Sequence, residues 1–371
     1  MVPATSTSDD STTNCTASNS RDIDAATRPR QTPSVDRQTN SLGLQSLRSV
    51  YAAQGFSPQV TDIMLQAKRT STHKQYNTYF SAWLAYCESH DISPTSATVP
   101  QALSFLESIR RERQLGFNAI NTARSALSSL LPHTDGVPFG QNWHVKLYMR
   151  GTFHVCPPCP RYATTWDPTV VLDYLKDWAP PNDITMQQLT LKVLMLALLV
   201  SGQRIHSFSV VEVEDLQLLD SQIIIHFGNK LKQSRPGYRT PDLALKAFPQ
   251  DSSLCIYTYM LEYLRRTAPI RGDQKLLFIT LKPPYKGASN SKDTLSRWVK
   301  KVMSSAGIDT NLFLPHSVRA ASTSAAKRGG ASVKEIMDSA GWSRTSTFTT
   351  FYDKQVADPH MFDVAVLSNK C

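Results

Sequence analysis

The residues best suited to chemistry lie near the end of the sequence, in LPHSVRAASTSAAKRGGASVKEIMDSAGWSRTSTFTTFYDK (residues 314–354). Pro315 fits the first turn of a helix, where its missing N–H is not needed. The spacing then places His316 and Arg319 on one face of that turn. Because a helix N-terminus already offers free N–H groups and a positive dipole end, this pair predicts an anion site. Tyr352, the one tyrosine of the segment, is its phenolic candidate for a nucleophile.

The rest of this segment predicts two further helices. A double glycine ends the first helix, and Ser332 with Glu335 forms a capping box that starts the second. A turn at Trp342 then leads to a last short helix that carries Tyr352. Taken singly, an arginine is usually a surface residue and a tryptophan usually packs in the core. The presence of His316, Arg319, Trp342 and Tyr352 together in one segment is what indicates a catalytic site.

The charge of the sequence indicates a polyanionic partner. Lys and Arg number 40 against 30 Asp and Glu, which gives a formal net charge of +10. Residues 1–50 hold five Arg and five Asp with neither Lys nor Glu, so the whole excess lies in residues 51–371. A folded region with this surplus most often binds nucleic acid. A soluble protein that is merely basic is the alternative.

Other features of the composition narrow the class of protein. Six scattered cysteines are too few for a disulfide scaffold. Cys156 and Cys159 are spaced as zinc ligands, but no second pair follows at a suitable distance, so we expect no metal. The apolar run at 189–202 is too short for a membrane span and contains Lys192. We predict that it forms a buried core helix in a reducing compartment.

The sequence divides into four regions. Residues 1–50 lack aromatic residues and are predicted to be disordered. Residues 51–152 show repeated amphipathic patterns and predict a compact helical domain. The proline-rich residues 153–166 predict a linker. Residues 167–371 predict a second domain of helices with one β-hairpin around a basic turn at 229–239. The predicted fold class is therefore mostly α with a small β-sheet.

Two motifs in this order resemble the tyrosine recombinase (phage integrase) superfamily. The stretch SGQRIHSFSVVEVEDL, residues 201–216, is similar to the family's first box, in which Arg204 matches the first catalytic arginine. His316-x-x-Arg319, a Gly-Trp pair ending at Trp342 and a tyrosine ten residues later at Tyr352 resemble the second box. The Gly-Trp pair and LKQSRPG look most like eukaryotic mobile-element recombinases of the DIRS, Ngaro or Crypton kind.

The resemblance implies a fold and a chemistry. The fold is a two-domain DNA clamp, with a helical SAM-like core-binding domain before an α+β catalytic domain. Tyr352 attacks a DNA phosphate and leaves a 3′-phosphotyrosyl link. Arg204 and Arg319 neutralise the phosphate oxygens, and His316 binds the phosphate or takes the phenolic proton. The indole N–H of Trp342 donates a hydrogen bond to an oxygen.

The family also has a catalytic lysine in the hairpin between the boxes, and here two lysines fit. Lys230 and Lys232 alternate with a leucine, so both could lie on one face of a strand. Lys232 is favoured because it lies 28 residues after Arg204. Further residues are candidates for DNA binding: Arg69, Lys74, Arg124, Lys230 and Arg235.

The sequence departs from the family pattern at two other places. Many relatives carry an acidic residue three positions after the first arginine, where this sequence has Ser207. A serine could accept one hydrogen bond from Arg204 but brings no charge. The distance from Trp342 to Tyr352 is one residue longer than in many bacterial relatives, which turns a helix by about 100°. The neighbouring Phe351 cannot serve as a nucleophile.

The resemblance implies partners and leaves alternatives open. It implies double-stranded DNA as substrate, a homotetramer on paired DNA sites, a nuclear location, and no need for a metal ion, another cofactor or ATP. No membrane association is expected. A topoisomerase-like nicking and closing enzyme shares the chemistry. A catalytically silent DNA-binding protein and a helical interaction protein with no DNA role are alternatives of other classes.

Overall fold

The computed structural model divides the chain into two compact units, Met1–Cys159 and Pro160–Cys371. The division lies inside the segment predicted as a linker. The structure describes residues 42–158, 162–228, 231, 240–280 and 291–356. No helix among these residues is long and apolar enough to cross a membrane.

The first unit consists of helices packed around an aromatic core. The indole of Trp83 is fully buried and meets Phe105 edge to face, with ring centroids 5.0 Å apart. Phe80 of the same helix is also buried, as the amphipathic spacing predicts. The helices are α1 (Leu42–Ala53), α2 (Pro58–Gln66), α3 (Thr70–Ser89), α4 (Val99–Glu112), α5 (Phe117–Leu127) and α6 (Trp143–Val155).

Helix α1 corrects the predicted N-terminal boundary. Disorder was predicted through residue 50, whereas a helix begins at Leu42. The physical reason is a short apolar stripe, in which Leu47 is buried and Leu44, Val50 and Tyr51 pack against the same core. The absence of aromatic residues before Tyr51 concealed this stripe. The rest of the predicted disordered segment, residues 1–41, lies outside the described residues.

The second unit is mostly helical with a small sheet, as predicted. Strands β1 (Leu216–Leu219), β2 (Gln222–Ile225) and β3 (Leu243–Lys246) form an antiparallel sheet in the order β1-β2-β3. The predicted hairpin corresponds to β2 and β3, and β1 was not predicted as a strand. The helices are α7 (Pro168–Lys176), α8 (Met186–Ser201), α9 (Ile205–Ser209), α10 (Ile256–Arg271), α11 (Lys292–Ser305), α12 (Val318–Arg328), α13 (Val333–Ala340) and α14 (Thr345–Phe351).

Helix α8 is the centre of the second unit and is buried on nearly every side, which confirms the prediction from its apolar run. Lys192 lies in the middle of this helix and is fully buried. Its Nζ donates to the Leu175 carbonyl at 2.7 Å and to the Tyr259 hydroxyl at 3.0 Å. Burial lowers the pKa of Lys192 from its ordinary value of 10.5 to about 8, because the apolar surroundings disfavour the charged form.

Replacing Lys192 by Met should change how stability depends on pH. Between pH 8 and 10.5 the unfolded lysine binds more protons than the folded one, so the wild type gains stability as pH rises. Lys192→Met lacks this gain. The difference in the free energy of unfolding between wild type and mutant should therefore change by about 3 kcal/mol across this range. Denaturant titrations at several pH values, with the exposed Lys300→Met as control, measure it. A pH-independent difference contradicts the lowered pKa.

Candidate active site

Arg319, the second residue of α12, is the most unusual side chain of the second unit. It is only 3% exposed, and its Nη2 donates to the Ala340 carbonyl at 2.9 Å. The guanidinium carbon lies 4.2 Å from the ring centroid of Trp342. Nε and Nη1 are buried and find no hydrogen-bond partner among the described residues. Two donor nitrogens are therefore available for a ligand.

The electrostatics of Arg319 also favour the binding of an anion. Burial, with a smaller contribution from the positive charge of Arg204, lowers the pKa of Arg319 to about 9, and nearby Tyr352 partly offsets this change. The guanidinium is still protonated at neutral pH. Among the described residues, no carboxylate forms an ion pair with either arginine. Arg204 and Arg319 repel each other, and neither is paired with a carboxylate among the described residues. Binding of an anion to both would remove this repulsion.

Arg204 is positioned by the sharp turn that ends α8. Gly202 adopts a left-handed conformation with φ of 60°, which favours glycine. A Cβ at this position would lie 2.8 Å from Thr323 Cγ2, so the end of α8 packs directly on α12. The chain then extends through Arg204, which caps the start of α9 and is partly exposed. The turn therefore brings the first arginine next to the helix that carries the second.

Two serine hydroxyls fasten the end of α8 to the helices of the second box. Ser322 of α12 donates to the Leu199 carbonyl at 2.5 Å, and Ser339 of α13 donates to the Ser201 carbonyl at 2.8 Å. These carbonyls belong to the last turn of α8, whose C=O groups have no partner within the helix. The bonds therefore satisfy the helix end and also fix Arg204 relative to α12 and α13.

Ser207 takes part in the same connection rather than in a bond to Arg204. It is buried, and its hydroxyl donates to the Gln203 side-chain oxygen at 3.0 Å. The amide nitrogen of Gln203 in turn donates to the Ser339 carbonyl at 2.6 Å. The described residues show no bond between Ser207 and the Arg204 side chain. The position where many relatives carry an acid thus helps to hold the backbone around Arg204.

Tyr352 lies beside the buried arginine, immediately after the end of α14. Its ring centroid is 4.7 Å from that of Trp342 and 5.3 Å from the guanidinium carbon of Arg319. The preceding Phe351 is 62% exposed, so it faces away from this cluster. Despite the longer spacing after Trp342, the tyrosine and not its neighbour faces the arginine. The indole Nε1 of Trp342 is buried without a hydrogen-bond partner among the described residues.

His316 lies in a different local structure from the one predicted. Pro315–Ser317 form a 3-10 turn, and the α-helix begins only at Val318. His316 is exposed, with its ring 5.8 Å from that of Tyr162, whereas Arg319 is buried. The buried indole N–H of Trp166 donates to the Ser317 hydroxyl at 2.9 Å and holds this turn. The predicted first turn is therefore a 3-10 turn that continues directly into the α-helix, and within it His316 is exposed while Arg319 is buried.

The remaining predicted residues lie elsewhere or outside the described residues. Lys230, Lys232 and Arg235 lie outside them. Arg69 and Lys74 are exposed at the beginning of α3. Arg124 is partly buried, and its Nη1 donates to the Gly140 carbonyl at 2.6 Å, which gives it a structural partner. DNA binding by these residues stays a prediction.

Cys156 and Cys159 are the two cysteines with the spacing of zinc ligands. Cys156 Sγ lies 3.8 Å from Arg110 Nη1, and Cys159 lies outside the described residues. In the part of the chain that the structure describes, no group of three or more His, Cys, Asp or Glu side chains is placed to hold a metal ion.

The fold that carries this site is similar to that of known proteins. Residues 177–357, within the second unit, match the model of the phage integrase family. The structure is similar to XerH site-specific recombinase in a pre-cleavage complex with its difH substrate. The TM-score is 0.53 and the identity 14%, over 90% of this chain and 97% of that one.

A transposon integrase shows a comparable likeness. The structure of the Tn1549 integrase in complex with transposon right end DNA has a TM-score of 0.50 and 13% identity, over 88% of this chain and 99% of that one. At such low identity these likenesses show the fold alone. No curated protein matches the chain in sequence.

Gly202→Ala should destabilise the second unit by about 1–3 kcal/mol, because the left-handed backbone and the approach of Thr323 Cγ2 both oppose a side chain. Gly228→Ala is the matched control, since Gly228 has a similar φ of 54° but no neighbour within 4 Å of its Cβ position. Adding Thr323→Ser removes the opposing methyl group and should recover part of the loss. Equal losses for Gly202→Ala and Gly228→Ala in denaturant titrations contradict the close packing.

Proposed function

We propose that this protein is a tyrosine recombinase that cuts and rejoins DNA strands at specific sites through a covalent link to Tyr352. The observation that carries the proposal is the buried guanidinium of Arg319, which lies beside the Tyr352 ring and has two nitrogens without a partner among the described residues. The match to the phage integrase family model supports it. The similar structures of XerH and of the Tn1549 integrase are complexes with DNA, which favours the same substrate here.

The strand cleavage is an exchange of one phosphorus–oxygen bond for another. The phenolic oxygen of Tyr352 forms a bond to the phosphorus, and the bond from phosphorus to the 5′-oxygen breaks. The phenolic proton passes to a base, for which His316 is the candidate, and the leaving 5′-oxygen takes a proton from Lys232. Because the phosphodiester energy is kept in the 3′-phosphotyrosyl bond, a second 5′-hydroxyl reverses the step without ATP.

The two arginines supply most of the catalysis in this scheme. Phosphoryl transfer gains chiefly from neutralising the charge on the non-bridging oxygens. In this scheme Arg319 donates to these oxygens from Nε and Nη1, the two nitrogens that have no partner among the described residues. Arg204, partly exposed at the start of α9, contributes the second guanidinium. A guanidinium holds its donors in fixed directions in one plane, which a lysine ammonium in the same place does not.

Trp342 has two roles in the proposed site. Its ring packs against both the Arg319 guanidinium and the Tyr352 ring, which lie within 5 Å of its centroid. Its buried Nε1 is a donor without a partner among the described residues, so it can bind a phosphate oxygen. An indole N–H can only donate, and Trp342 is therefore not a base.

The assembly follows from the reaction. Each protomer supplies one tyrosine and cuts one strand, and an exchange between two duplexes needs four cuts. We therefore propose a homotetramer on two paired double-stranded DNA sites. Origin in a mobile element and a nuclear location stay predictions from the sequence.

A covalent adduct is the test of this function. Wild-type protein, incubated in EDTA with a nicked suicide duplex of its own recombination site, should form a protein–DNA adduct on a denaturing gel. Tyr352→Phe should form none, because it lacks the attacking oxygen. Phe351→Ala should still form the adduct, since this neighbour faces away from the site. The double mutant Phe351→Tyr with Tyr352→Phe should not recover it.

Three outcomes would change the account. Adduct formation by Tyr352→Phe would assign the nucleophile to another residue. Loss of the wild-type adduct in EDTA would show that a metal ion takes part. Salt-dependent DNA binding without any adduct would favour a catalytically silent DNA-binding protein.

A further inference from the structure

One buried hydroxyl holds the backbone of the proposed nucleophile. Ser324 lies on α12 and is 2% exposed. Its Oγ donates to the carbonyl of Tyr352 at 2.6 Å and accepts a bond from the backbone N–H of Lys354 at 3.0 Å. A single side chain therefore fixes the chain on both sides of Asp353, immediately after the residue that reacts.

Tyr352 needs such support because it lies just beyond the end of a short helix. Helix α14 has seven residues, and Tyr352 follows its last residue with a non-helical φ of −125°. The backbone N–H of Tyr352 still bonds to Phe348 at 2.8 Å, but its carbonyl has left the helix. A carbonyl at a helix end must find another partner, and here the partner is Ser324.

The other contacts of this segment act on neighbouring residues. Lys327 pairs with Asp353, the ammonium of Lys354 donates to the Tyr162 carbonyl at 2.8 Å, and the Gln355 carbonyl accepts from the Thr165 N–H at 2.7 Å. Among the described residues, Ser324 is the one side chain outside α14 with a hydrogen bond to the backbone of Tyr352. Ser324 therefore holds Tyr352 itself, whereas the other contacts hold the residues that follow Tyr352.

The two ends of α14 are held by different means. Phe348 packs on Trp342 in a small apolar cluster with Ile336 and Ala340, apart from the main core of the second unit. This cluster holds the helix but makes no bond to the backbone beyond it. Loss of the Ser324 hydroxyl should therefore leave the fold in place and release the backbone at Tyr352.

Ser324 also connects the nucleophile to the cation that it works with. Arg319 and Ser324 are five residues apart on α12, a separation of about 7.5 Å along a rigid helix. Arg319 faces the ring of Tyr352, and Ser324 binds its carbonyl. One helix thus fixes both the phosphate-binding group and the backbone of the attacking residue.

We propose that Ser324 is a positioning residue for strand cleavage, which sets the approach of the Tyr352 oxygen to the phosphate held by Arg319. This inference rests on the proposed function. It predicts a defect in the chemical step and not in DNA binding, because Ser324 is buried and its hydroxyl bonds to the backbone of Tyr352 and Lys354. A displacement of about 1 Å at a reacting group is enough to slow a reaction by about 100-fold.

The test compares Ser324→Ala with Thr190→Val. Thr190 is equally buried, on α8, and its hydroxyl donates only to the Met186 carbonyl of the same helix, so the control removes one buried helical hydroxyl far from the site. Three quantities are measured for each variant: the melting temperature, the Kd for the duplex, and the rate of adduct formation in a single turnover at saturating protein. Ser324→Thr, which keeps the hydroxyl, is the rescue variant.

Ser324→Ala should form the adduct about 10- to 100-fold more slowly than wild type, with a Kd and a melting temperature within the range of the Thr190→Val control. Ser324→Thr should recover most of the rate. Wild-type rates in Ser324→Ala, or equal slowing in Thr190→Val, would overturn the positioning role while the proposed function stands. If Ser324→Ala does not fold, Ser324→Thr takes its place in the test. A rate of adduct formation by Ser324→Thr as low as that of an inactive variant would then overturn the positioning role. No adduct from wild type would instead reject the proposed function itself.

Discussion

The proposed site is organised around the buried guanidinium of Arg319. This group loses its hydration at 3% exposure, and among the described residues it donates one hydrogen bond, to the Ala340 carbonyl. Stacking on Trp342 offsets part of this cost, since a desolvated cation–π contact contributes about 2 kcal/mol. Nε and Nη1 of Arg319 have no hydrogen-bond partner among the described residues. Such preorganisation costs stability in the free protein and lowers the cost of binding a phosphate.

The neighbouring elements bring the other reactive groups to this cation with neutral hydrogen bonds. Hydroxyl groups of Ser322 and Ser339 bind the end of α8 and so fix the turn that carries Arg204. The hydroxyl of Ser324 binds the backbone of Tyr352 on the opposite side. Serine hydroxyls satisfy helix ends without adding charge, so these bonds do not compete with the phosphate for the guanidiniums.

Elements with a local cause could be predicted from the sequence. The apolar run of α8, the capping box at Ser332 and the left-handed turn at Gly341 depend on residues close in sequence, and the structure has each of them. The same holds for the β2–β3 pairing. The cluster of Arg319, Trp342 and Tyr352 was expected from a resemblance to a family, and the structure shows these residues in contact.

Features that depend on distant partners could not be predicted. The 3-10 turn before α12 includes Ser317, whose hydroxyl accepts a bond from Trp166, 151 residues away. Gln203, which accepts the bond from Ser207, itself donates to the Ser339 carbonyl, 136 residues away. The bond from Ser324 to the Tyr352 carbonyl joins residues 28 apart, and nothing near Ser324 in the sequence indicates it. In each case, a polar side chain has a partner that its own sequence neighbourhood does not reveal.

In the proposed mechanism, Arg319 neutralises charge on the DNA phosphate during cleavage. The most direct measurement compares two duplexes, one with an ordinary phosphodiester at the cut site and one with a methylphosphonate, which carries no negative charge there. Single-turnover cleavage of both is followed for wild type and Arg319→Ala. The account predicts that Arg319→Ala loses about 100- to 1,000-fold on the phosphodiester and far less on the methylphosphonate. Equal losses on the two substrates would contradict it.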